Sequence, residues 1–157
     1  GHISTRNGVY FLKNRLSEDD YVIIHDAARP IVYQDIIDDL IEKAKANGNA
    51  CSAVSCYETV VLTENRTSGK EQIDRNRIVR VQTPQCYNYG LIKSLYEKAD
   101  KDNREDFVYA NILAMNYGVE IYFSKGTNNN IKITTKDDIA LFRALLYYIN
   151  NAEGEEN

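Results

Sequence analysis

Two apolar runs, Val22 to Ile24 and Ala50 to Cys56, bracket a stretch in which Ile36, Ile37, Leu40, Ile41 and Ala44 recur at helical spacing. Asn47-Gly48 supplies a C-terminal stop for that helix. Neither run alternates with polar residues as a half-exposed strand does, so both read as buried strands. A strand, a helix and a second strand make one βαβ unit, which implies a parallel sheet. The rest of the chain has to fold around that unit.

The 157 residues are enough for one domain with a real core. Residues 1 to 20 are weakly patterned, with a short helical stretch at Val9 to Leu12. Thr59 to Thr63 and Ile78 to Val81 have strand composition and flank a polar, turn-like segment, Asn65 to Gln72. They read as a projecting β-hairpin arm over about residues 57 to 82. An isolated two-stranded ribbon is marginal, so a second copy of the chain is the simplest support for it. Thr83-Pro84-Gln85 interrupts the pattern. Leu91, Ile92, Leu95, Tyr96 and Ala99 mark a helix, and Phe107, Val108, Asn111, Ile112 and Met115 mark another, stopped at Gly118. Val119 to Phe123 reads as a strand and Asn130 to Thr134 as a short extended segment. Thr135 and Asp138 form a capping box with Asp in place of Glu. They open a helix carrying Ile139, Phe142, Leu145, Leu146 and Ile149. Residues 151 to 157 read as a frayed, disordered acidic tail, which leaves 1 to 150 as a single α/β domain.

The formal net charge of -4 disfavours nucleic acid or an anionic membrane as a partner. With no apolar stretch of membrane-spanning length and no signal-peptide pattern, a cytoplasmic protein is expected. Cys51, Cys56 and Cys86 are odd in number and form no CxxC, so neither a disulfide framework nor a zinc site is indicated. Cys86 follows the Thr-Pro-Gln string, near a candidate site. No histidine has an evident reason to act as its base.

The first apolar run leads into His25-Asp26-Ala27-Ala28-Arg29-Pro30. Asp26 thus sits at the carboxyl end of a strand, where open α/β sheets bind ligands. A carboxylate there can hold Mg²⁺ bridging triphosphate oxygens, or simply cap the strand. Pro30 constrains Arg29 toward extended backbone, from which its guanidinium can pair with Asp26 or with a phosphate. HDAARP, then Thr83-Pro84-Gln85, then Asn130-Ile131-Lys132-Ile133-Thr134-Thr135, in that order, resemble the motifs of the sugar-phosphate cytidylyltransferases, above all the 2-C-methyl-D-erythritol 4-phosphate cytidylyltransferase family.

The resemblance implies a Rossmann-like, mostly parallel sheet flanked by helices, with a dimerisation arm. The implied reaction joins CTP and a sugar-alcohol phosphate, with Mg²⁺, in a homodimer. Asp26 and Lys132 are the implied catalytic residues, with Asp26 serving the metal. Arg29, Thr59, Thr83 and Lys132 are implied to hold substrate. Arg75, eight residues before Thr83, is implied to reach the sugar phosphate in the partner subunit's site. A planar guanidinium suits that task. Thr59 follows Tyr57-Glu58, where the family usually has Arg-Asp. Asp106 is a poor match to a family motif and receives no role. Ala28 favours methylerythritol phosphate over ribitol 5-phosphate as acceptor.

The family's glycine-rich loop, which wraps the triphosphate with backbone amides, has no counterpart among these residues, because no two of the eight glycines fall close enough to form one. The expected sheet is therefore incomplete, with an unpaired edge near Val22 to Ile24. The rival reading is a non-catalytic dimerisation and sugar-phosphate-binding module.

Overall fold

The computed structural model describes residues 2–105 and 107–152. In chain order they form α1 (His2–Phe11), β1 (Tyr21–Ile24), α2 (Gln34–Asn47), β2 (Asn49–Ser55), β3 (Val60–Leu62), β4 (Glu71–Ile73), a 3₁₀ turn (Arg75–Arg77), β5 (Val79–Asn88), α3 (Tyr89–Lys101), α4 (Ala110–Asn116), β6 (Phe123–Lys125) and α5 (Lys136–Ala152). Asp106 lies outside the described residues, as does the expected tail beyond Ala152.

The main sheet has the order β1-β5-β2-β6. β5 runs antiparallel to both β1 and β2, and β6 runs parallel to β2. Three of the four strands therefore share one direction, as the expected α/β class requires. β1, α2 and β2 do form a parallel crossover, but its strands are not neighbours, because β5 lies between them. β1 is the sheet's edge, and no strand among the described residues pairs with its outer side.

β5 also corrects the reading of Thr83-Pro84-Gln85 as a break. The register runs from Cys51↔Gln85 to Ala53↔Val81, so two steps on β2 face four on β5. The extra residues on β5 form a bulge containing Thr83 and Pro84. A bulge is one of the few places where a residue without an N–H fits inside a strand. The stretch Ile78 to Val81, read as the arm's return, in large part belongs to this strand, since Val79 pairs with Ser55. The separate two-stranded sheet is shorter, pairing Val60 with Ile73 and Leu62 with Glu71.

Alternate residues of β5 serve opposite faces. Cys86 packs with Leu40 and Ala44 of α2 and with Ala50. Tyr87 packs on the other face with Ile92, Leu95 and Tyr96 of α3, Leu113 of α4 and Val9 of α1. Helices on both faces bury the sheet, and a fully buried Leu or Ile contributes about 1.5–3 kcal/mol. The anticipated helix face of α2 is borne out, with Ile36, Leu40 and Ala44 buried. Gly48 ends it at φ 83°, donating its N–H to the Ala44 carbonyl at 2.7 Å.

Three boundaries differ from expectation. α4 begins at Ala110 rather than Phe107, because Phe107 turns into the core instead. The strand after Gly118 is Phe123–Lys125, where β2 offers parallel partners. Asn130 to Thr134 forms no strand, since its backbone bonds the turn after β1: the Ile133 N–H donates to the Ala28 carbonyl at 2.8 Å. No helix among the described residues is long and apolar enough to cross a membrane.

Candidate functional site

Past β1 the chain turns back on itself. The Arg29 N–H donates to the Asp26 carbonyl at 2.9 Å, and His25 Nε2 bonds the Arg29 carbonyl at 2.8 Å. The Asp26 N–H donates to Thr83 Oγ1 at 3.0 Å, which ties the turn to the β5 bulge. Since Thr83 Oγ1 accepts that bond, its own proton is left for another acceptor.

The loop before α5 closes the site from the other side. Lys132 Nζ donates to Asp26 Oδ2 at 2.8 Å, and Arg29 Nε lies 3.7 Å from the same oxygen. Arg29 Nη1 donates to the Asn130 carbonyl at 2.6 Å. The Asn130 side-chain amide donates to the Thr83 carbonyl at 2.7 Å and to Gln82 Oε1 at 3.3 Å. The three sequence motifs, more than a hundred residues apart at the extremes, therefore meet around one carboxylate.

They line a cavity of about 160 Å³ with Val81, Gln82, Gln85, Tyr109 and Asn111. This is well under the roughly 300–1,000 Å³ of a pocket for a larger ligand. It suits a phosphate with a short polar chain. The two cations exceed the one carboxylate. The hydrogen bond to Asp26 raises the Lys132 pKa above its ordinary value, so the amine stays charged. Burial lowers that of Arg29, with Asp26 opposing the shift. Lys132 also sits 5.5 Å over the Tyr109 ring, a further cation–π attraction.

Of the expected site residues, Asp26, Arg29, Thr83 and Lys132 come together here. Thr59 and Arg75 do not line the cavity. Thr59 is exposed just before β3. Arg75 lies in the turn after β4, where Nη1 donates to the Tyr57 carbonyl at 3.0 Å. Cys86 faces α2, away from the cavity, and burial pushes its thiol up to about 11. Burial likewise pushes the Cys51 thiol up to about 12. Neither forms a nucleophilic thiolate at neutral pH. Gln82, Tyr109, Asn111 and Asn130 were not anticipated in the site. The sequence signal for Asn111 was a polar residue inside an apolar helical stripe.

The donor set does not by itself fit a resident Mg²⁺. Among the described residues no group of three ligating side chains surrounds Asp26. Its Oδ2 already faces an ammonium and a guanidinium, which a dication would meet as like charges.

With this geometry, comparison with known proteins is direct. The family model described as IspD: 2-C-methyl-D-erythritol 4-phosphate cytidylyltransferase matches residues 4–148. The chain is 39% identical over 145 residues to a ribitol-5-phosphate cytidylyltransferase of Lacticaseibacillus paracasei, covering 91% of this chain and 62% of that protein. It is 35% identical over 133 residues to a 2-C-methyl-D-erythritol 4-phosphate cytidylyltransferase of Clostridium novyi, covering 85% and 57%. Among solved structures, the Francisella tularensis 2-C-methyl-D-erythritol 4-phosphate cytidylyltransferase superposes with TM-score 0.78 at 28% identity, covering 90% of this chain and 66% of that one. The fold is thus the α/β domain type of these cytidylyltransferases. The chain belongs to the IspD family. It spans about three fifths of the length of the curated relatives it matches.

Proposed function

We propose that this chain forms the acceptor side of a cytidylyltransferase that transfers CMP from CTP to a sugar-alcohol phosphate. The observation that carries this reading is the Asp26–Lys132–Arg29 cluster on a small cavity with the Thr83 hydroxyl. An oxygen of the acceptor phosphate attacks the α-phosphorus of CTP. The bond from that phosphorus to the bridging oxygen breaks, and pyrophosphate leaves. Lys132 and Arg29 hold the acceptor phosphate and offset its charge, so that two anions can approach. Asp26 keeps Lys132 charged until the phosphate displaces it from the amine. Thr83 donates its free proton to a phosphate oxygen. Mg²⁺ belongs to this reaction class, and here it would arrive on the triphosphate rather than on a preformed cage.

Ribitol 5-phosphate is the first acceptor to test, because the relative named for it has the higher identity of the two quoted above. The replacement of Arg-Asp by Tyr57-Glu58 on the outgoing hairpin points the same way. Methylerythritol phosphate is the second reading, favoured by Ala28 and by the family model. The hairpin β3–β4 is proposed to pair two chains and to carry Arg75, with Thr59, to the partner's cavity. Consumption of CTP supports reading the protein as cytoplasmic.

The test is pyrophosphate release with CTP, Mg²⁺ and each acceptor, alongside calorimetric binding of each acceptor. Release with one acceptor identifies it and rules out a non-catalytic module. Binding without release supports the module reading for this chain. Absence of both overturns the proposal. Light scattering should give a dimer, and a clean monomer counts against the hairpin's role.

A further inference from the structure

Asn111 is only 6% exposed, yet its amide is half used. Asn111 Oδ1 accepts from Gln85 Nε2 at 3.2 Å. Gln85 Oε1 accepts from the Tyr87 hydroxyl at 2.9 Å, and Tyr87 in turn lies 3.6 Å from Cys51 Sγ. The direction of this buried chain follows from its members. A phenol is the strong donor and a thiol the weak one, so the phenol proton goes to the amide carbonyl. That turns the Gln85 NH₂ toward Asn111 and leaves the Asn111 NH₂ as the terminal donor.

No described residue accepts from that NH₂, and Asn111 lines the cavity shared by Asp26, Arg29 and Lys132. The Asn111 nitrogen opens onto the cavity rather than being sealed in the core. A network that fixes the amide and ends on a donor open to the cavity presents that donor to an acceptor atom of a ligand.

We propose that Asn111 is a specificity residue that donates a hydrogen bond to a hydroxyl oxygen of the polyol chain of the acceptor, with Gln85 and Tyr87 as positioning residues. The inference rests on the sugar-alcohol phosphate reading of this cavity. A neutral amide matches a neutral hydroxyl, whereas the phosphate is matched by Lys132 and Arg29. The residue thus separates a polyol phosphate from a bare phosphate, which binds through the cations alone.

The experiment is calorimetric titration of the full chain with ribitol 5-phosphate and, separately, with inorganic phosphate. The unaltered chain is expected to prefer ribitol 5-phosphate. Asn111→Ala should reduce that preference about tenfold, with affinity for inorganic phosphate unchanged. Asn111→Asp is nearly isosteric and can still accept from Gln85 but cannot donate. It should lower the same ratio, so the test survives if the alanine variant fails to fold. Tyr87→Phe releases the Gln85 amide and should lower the ratio by a smaller, severalfold amount.

An unchanged ratio in both Asn111 variants overturns the role of Asn111 and leaves the acceptor reading standing. Equal loss of both ligands in Asn111→Ala shows that Asn111 only holds the cavity together, which also overturns it. No preference of the unaltered chain for either ribitol 5-phosphate or methylerythritol phosphate over inorganic phosphate overturns the acceptor reading and the inference together.

Discussion

Asp26→Asn should tighten the binding of inorganic phosphate, although it removes the residue at the centre of the site. Asp26 Oδ2 holds Lys132 at 2.8 Å and lies 3.7 Å from Arg29, so the cavity carries two positive groups and one negative. An incoming phosphate has to displace the carboxylate from Lys132 and then sit beside it. Two unit charges 4 Å apart interact by about 1 kcal/mol in water and about 4 kcal/mol at an effective dielectric of 20. The Asp26 and Lys132 side chains are 28% and 32% exposed, so solvent screening puts the removed repulsion near the low end. The expected gain is about 1 kcal/mol, or roughly fivefold in affinity. The assay is calorimetric titration of phosphate into both proteins at low and at high salt. The difference should shrink at high salt, where the Debye length drops to about 3 Å. Weaker phosphate binding in the Asn variant would refute the reasoning. It would mean that Asp26 holds Lys132 in the binding pose rather than competing for it.

Other outcomes follow from the same geometry. Thr83→Val removes the acceptor for the Asp26 N–H and should cost about 1–2 kcal/mol in chemical denaturation, with weaker phosphate binding. Gly48→Ala places a side chain at φ 83°, where the Cβ meets only Leu91 Cδ2 at 4.0 Å, so the strain is in the backbone and should cost about 1 kcal/mol by the same measurement. Hydrogen bonds from the Thr134 and Thr135 backbone hold the Asp138 carboxyl down at about 2 against an ordinary 3.8. The stability it lends to the start of α5 is therefore fully present above its unfolded value and is lost as pH falls through about 2. Helical circular dichroism followed from neutral to acid pH should show this loss in the native chain and not in Asp138→Asn.

The legible part of this protein was local. The α2 periodicity, the Gly48 stop and the Thr135–Asp138 capping pair each depend on residues within a few positions of one another, and each appears as expected. Asp26, Arg29, Thr83 and Lys132 could be singled out because each stands in a short string that resembles a motif of the family. The bulge at Thr83-Pro84 was misread as a break because a proline inside a strand is visible in sequence, while the partner strands that accommodate it are not. The length of the strand after Gly118 was likewise set by what β2 had left to pair.

The sequence alone therefore determined the class of fold and the chemical types gathered at the site, since hydrophobic period and side-chain charge are properties of neighbours along the chain. Only the tertiary structure decided that β5 runs between β1 and β2. It also decided that Lys132 rests on Asp26 across 106 positions, and that Asn111 ends a buried chain of hydrogen bonds at the cavity wall. Those outcomes depend on which distant backbone and side-chain groups satisfy one another once water is excluded, and that pairing is not written in any local stretch of residues.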